Sequence, residues 1–70
     1  MESHIDRMKE EFNELSDKVK KLNEFVYSNE TFETLDKDER FRMIKQLAHM
    51  QSYRKILNER LVVAQDDTLK

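Results

Sequence analysis

The chain contains no glycine, no proline and no cysteine in its 70 residues. Tight β-hairpins rely on residues that accept positive φ or carry a preset φ, so the first two absences argue against a multi-stranded β fold. The third leaves no disulfide framework and no thiolate metal site, which fits a reducing compartment. No apolar run approaches the ~18 residues that a membrane-crossing helix needs, so no membrane partner is expected. The opening MESHIDRMKEE lacks the oily segment of an export signal. The expected location is the cytoplasm.

Charge, by contrast, is abundant: 40% of the residues are Asp, Glu, Lys or Arg, yet the net charge is only −2. So high a charged fraction raises the question of disorder. The apolar residues answer it, because they are periodic. Ile5, Met8, Phe12, Leu15, Val19, Leu22 and Val26 follow alternating steps of three and four, a heptad seam sustained for three repeats. Ser3 followed by Asp6 reads as a shortened capping box at the start of this helix. Phe25 lies beside the seam and widens the apolar face.

The stretch YSNETFETLDKDE, residues 27–39, breaks the pattern. Its Ser, Asn and Thr residues compete for backbone hydrogen bonds and favour turns and caps. Phe32 and Leu35 are placed to tuck a short helical turn against the core. Asp36 followed by Glu39 is a second capping-box signature, so a second long helix is expected from about Lys37 to about Val63. Its apolar residues cover well over half of its circumference, and a helix that is apolar on two sides has two neighbours. One is the first helix. The other is assigned to a second copy of the chain, because a single small core rarely supplies more than roughly 3–5 kcal/mol and this chain has neither disulfide nor metal. The expected fold is therefore all-α, an antiparallel two-helix hairpin with a short connecting turn or helix, assembled as a homo-oligomeric bundle. Residues 1–64 form the domain, and residues 65–70 read as a disordered tail.

Charge is divided unevenly along the chain. Residues 41–64 carry Arg42, Lys45, Arg54, Lys55 and Arg60 against Glu59 alone, whereas residues 1–40 carry twelve acids against seven bases. The two halves can attract each other, or the basic helix can line an anion site. Both can hold together. Long nucleic acid is not an expected partner, since it requires a broad basic surface and this protein is slightly acidic overall. A small anion needs only two or three cations.

The residues for catalysis are missing. His4 and His49 stand alone, without the spacing of a hydrolytic zinc site. No Ser sits in a nucleophile setting and no glycine-rich phosphate loop can exist. An enzyme is not expected, and no cofactor is implied. Binding remains. In QLAHMQSYRKILNERL, residues 46–61, Gln46, Tyr53 and Arg60 stand seven apart with Met50 and Leu57 between them, one helical stripe that is half apolar and half hydrogen-bonding. Tyr53 offers a ring and a hydroxyl. Arg60 offers a planar fork suited to phosphate. Gln46 both donates and accepts. Packing alone also accounts for Tyr53, and an interface ion pair for Arg60. Arg54 falls on the apolar seam, where it either snorkels outward along its stem or meets an acid of the first helix. Lys18, Lys20 and Lys21 cluster late in the first helix.

These residues carry a resemblance. Phe32, Leu35 and Glu39, then Gln46, Met50, Tyr53, Ile56, Leu57, Arg60 and Leu61, with Lys21, Leu22 and Phe25 before them, resemble a family of very short phage-encoded helical-hairpin proteins over about residues 8–62. More distantly the chain is similar to the anti-CBASS cyclic-nucleotide sponges, oligomers that sequester the signalling nucleotides of bacterial immunity without cleaving them. That likeness implies a cyclic di- or trinucleotide ligand, with Tyr53 or Phe12 stacking on a base and Arg60 and Lys21 gripping phosphates. The competing expectation is a hairpin that inhibits a host or phage protein by direct binding. A purely structural coiled-coil adaptor would need Tyr53 and Arg60 only for packing.

Overall fold

The computed structural model describes the backbone of residues 3–69 and the side chains of residues 3–65. Three helices follow in order: α1 (His4–Ser28), α2 (Glu30–Thr34) and α3 (Lys37–Leu69). Every described residue outside them serves as a cap or a link. Helix α1 opens on the expected box: the Ser3 hydroxyl accepts from the Asp6 amide at 3.2 Å, and the Asp6 carboxylate accepts from the Ser3 amide at 3.5 Å. Two of the orphan N–H groups of a helix start are satisfied in this way.

The reversal between the long helices is made without glycine. Asn29 ends α1 in extended backbone (φ −106°, ψ 125°) and at once caps α2, its carboxamide oxygen accepting from the Thr31 amide at 2.8 Å. Leu35, also extended, closes α2 by donating its amide to the Phe32 carbonyl at 3.2 Å. Asp36 then starts α3, accepting from the Asp38 amide at 3.1 Å. The second capping box is therefore half-formed. Its expected partner Glu39 turns instead to Arg42, in an ion pair of 2.8 Å. Among the described residues no backbone φ is positive.

Helices α1 and α3 pack against each other along the hairpin, which measures 52 × 19 × 16 Å. Val19, Val26, Phe32 and Leu47 form the buried cluster, with Leu15, Leu22, Phe25, Leu35, Met43 and Met50 packed around it. Phe25 meets Phe32 edge-on, ring centres 6.0 Å apart at 84°, which fixes α2 across the closed end. Farther along α3, Leu57 and Leu61 are also buried.

One expectation shifts. Helix α3 continues to Leu69, past the expected end at Val63 and through most of the stretch read as a disordered tail. The apolar period fades there, but no glycine or proline stops the backbone ladder, so each amide still finds its carbonyl one turn back. Lys70 lies outside the described residues. As the two-sided apolar pattern of this helix implies, α3 leaves Phe41, Ile44, Ile56, Val62 and Val63 exposed on the side away from α1. Apolar residues on both sides of α3 leave it with almost no net amphipathic direction.

Candidate functional site: the two flanks of the hairpin seam

The contact between α1 and α3 has two flanks, and each carries polar groups. The first is built from the Tyr53 side. Tyr53 is half-exposed, and its hydroxyl donates to a Glu11 carboxylate oxygen. That bond keeps the phenol proton in place, so the Tyr53 pKa lies above its ordinary 10.0. Partial desolvation and the negative charge of Glu11 add to the rise, and the positive charge of Arg60 opposes it. Arg60 therefore stands on the Tyr53 flank, exposed.

Nearer the closed end of the same flank, Lys18, Lys21 and Gln46 surround a shallow hollow of about 450 Å³ floored by Leu22, Phe25, Met43 and Met50. The Gln46 carboxamide nitrogen rests 3.8 Å from the Met50 sulfur. Of the residues singled out from sequence, the structure thus brings Lys21 and Gln46 together, sets Tyr53 and Arg60 beyond them on the same flank, and puts Phe12 elsewhere.

Phe12 belongs to the opposite flank. There Arg54 takes the outward course open to it, its guanidinium lying 5.5 Å from the centre of the Phe12 ring. It finds a hydroxyl of α1 rather than an acid, since its Nε donates to Ser16 Oγ at 2.9 Å. Phe12, Gln51, Arg54, Lys55 and Asn58 together line an open hollow of about 320 Å³. The lining comprises one ring, two cations, two carboxamides and no carboxylate. A planar guanidinium held over a ring is a stacking surface as well as an anion donor. Sequence reasoning did not gather Gln51, Lys55 and Asn58. The available signal was their spacing with Arg54, in steps of three, one and three, which sets four hydrogen-bonding side chains on one helical stripe beside the seam.

The arrangement offers a stacking surface and hydrogen-bond donors suited to recognition of an anion. Among the described residues no group of three His, Asp or Glu side chains gathers as a metal site, and no helix is long and apolar enough to cross a membrane.

No curated protein and no solved structure matches the chain. A family model does match, that of Sequestin, over residues 2–63. The match runs through α1, the cap at Asn29, α2 and α3 as far as Val63, taking in both flanks of the seam, and the name is consistent with a sequestering role. Carrying the match over nearly its whole length, the chain belongs to the Sequestin family.

Proposed function

We propose that this protein is a non-catalytic phage counter-defence protein that withholds a small anionic ligand, a cyclic nucleotide immune signal, at boundaries between copies of itself. The observation that carries the reading is the hollow lined by Phe12, Gln51, Arg54, Lys55 and Asn58, where a ring and two cations meet with no carboxylate in the lining. A base stacks on the Arg54–Phe12 pair. Lys55 and the free edge of Arg54 take a phosphate, and Gln51 and Asn58 read donors and acceptors on the base edge.

Of the two candidates for stacking, Tyr53 and Phe12, this reading takes Phe12. The Tyr53 hydroxyl already holds Glu11, and a carboxylate at that point repels a phosphate. Tyr53 then ties the arms of the hairpin together. Lys21 and Gln46, with Arg60 farther along, make the opposite flank a second place where an anion can rest. Since the site offers no nucleophile or general base positioned on a ligand, release of the intact nucleotide is expected on denaturation.

The test is mass spectrometry under native conditions with a panel of cyclic di- and trinucleotides. The parent protein should retain one member of the panel, chemically unchanged. Arg54→Ala should weaken retention by about 10–100-fold, the loss of one charge-assisted phosphate contact, with helix content preserved. Equal retention by the parent and Arg54→Ala would place the site elsewhere, with Arg60→Ala as the control for the Tyr53 flank. Retention of nothing in the panel would remove the nucleotide reading.

A second reading, a hairpin that inhibits another protein by direct binding, is favoured by the exposed Phe41, Ile56 and Val63 on the back of α3. It predicts a stoichiometric protein partner and no nucleotide in pull-downs from host lysate.

A further inference from the structure

The back of α3 is chemically self-complementary. We infer that two copies pair through it, antiparallel, with Ser52 on the two-fold axis. The inference sharpens the self-association in the reading above and does not depend on the ligand.

In an antiparallel pair related by such an axis, residues equally far on either side of Ser52 come level with each other. Offsets of four, seven and eleven residues approximate one, two and three helical turns, so residues at those offsets share the Ser52 face. At four stand Ala48 and Ile56, a small residue against a large one. At seven stand Lys45 and Glu59, opposite charges, and Glu59 is the only acid between residues 41 and 64. At eleven stand Phe41 and Val63, both apolar and 58% and 60% exposed. Each of these contacts occurs twice in the pair. Ile44 and Val62, the remaining exposed large aliphatics among the described residues of α3, fall on one shared flank and come nearly level.

The centre is suited to burial. The Ser52 hydroxyl already donates to the Ala48 carbonyl at 3.1 Å, so closing the contact over it strands no donor. With Ala48 and Ser52 both small, the axes can approach closely. The stripe from Phe41 to Val63 spans about 33 Å at 1.5 Å per residue. In the single chain the Lys45 ammonium covers the Phe41 ring at 4.5 Å. In the pair it moves to Glu59 of the second copy while Phe41 packs on Val63 of that copy.

The pairing also bears on the ligand site. Lys55 lies only three residues from Ser52, on the flank that carries the Phe12–Arg54 hollow. The axis keeps that flank on the same side in both copies, so the two hollows open on one face of the pair.

Charge reversal tests the register, with sedimentation velocity of the full chain without ligand as the readout. Glu59→Lys and Lys45→Glu should each raise the dissociation constant of the pair about tenfold or more, since each sets two like charges face to face. The double exchange should restore it. A cysteine probe gives an independent reading, because the native chain has none. Ser52→Cys should cross-link to a covalent dimer under mild oxidation. Lys45→Cys should not, since its two copies lie about 21 Å apart along the axis. A multimeric parent that ignores both reversals, or a double exchange that fails to recover, overturns this surface while leaving self-association standing. A parent that stays monomeric at high micromolar concentration overturns both.

Discussion

Leu57→Ala should remove most of the stability of the hairpin. Among the described residues Leu57 is the one large side chain with no exposure at all, 0% against 3% for Leu47 and 7% for Leu61. In the first half of α1, Met8 and Phe12 are only partly covered, so Leu57 carries much of the burial at the open end. Truncating a buried leucine to alanine costs about 2–5 kcal/mol, from lost transfer energy and from the cavity left behind. A core of this size supplies roughly 3–5 kcal/mol in all. With a urea slope of about 1 kcal/mol per M for a small protein, a loss of 3 kcal/mol shifts the midpoint by about 3 M. Helicity followed by circular dichroism through a urea titration measures the shift. The titration is repeated at several protein concentrations, because association adds to apparent stability by mass action. Leu57→Met, which nearly conserves volume, should cost less than about 1.5 kcal/mol. A midpoint shift under about 1 M for Leu57→Ala, with a transition as steep as the parent's, would refute the account of where the core lies.

Two further outcomes follow from the polar contacts. In a Tyr27→Phe background, ultraviolet titration of Tyr53 should show ionisation above 10.0, and Glu11→Gln should bring the midpoint down by removing the charge and weakening the acceptor. Because the folded pKa is the raised one, the stabilisation tied to the protonated phenol is complete below the unfolded value. It is lost as pH rises through the folded value, so Tyr53→Phe should be less stable than the parent below that range and converge with it above. Ser3→Ala should cost about 1 kcal/mol by opening the capping box, seen as faster amide exchange at Asp6 with no change near α2.

Most of the fold was legible in the sequence because it rests on local signals. The heptad from Ile5 to Val26 dictates α1, Ser3 with Asp6 starts it, and Asp36 starts α3 one residue on. Phe32 and Leu35 revealed the short α2 because two apolar residues in a polar stretch need a surface to cover. The end of α3 was not legible, since a fading apolar period does not stop a helix that has no breaker. The half-formed box at Asp36 was missed because Glu39 has Arg42 within reach, a competing partner one turn on.

The candidate site was legible only in part. Residue type pointed to Phe12, Lys21, Gln46, Tyr53 and Arg60, but it carries no information about which flank of the seam each occupies. Glu11 decides the matter for Tyr53, and it lies 42 residues away in the sequence. For Arg54 the seam position suggests only an outward stem or an acid partner, whereas the ring of Phe12 and the hydroxyl of Ser16 give it a defined position there.

The right-handed, extended-cap backbone of this hairpin reserves no position for any one amino acid. Nowhere among the described residues must a side chain be absent for the main chain to pass. Selection can then act on it only through side-chain size, polarity and charge, all of which admit many substitutes. Relatives are free to drift until little but the spacing of oily and charged positions is shared, and it is that cadence, rather than any invariant letter, by which distant members of such a lineage should be sought.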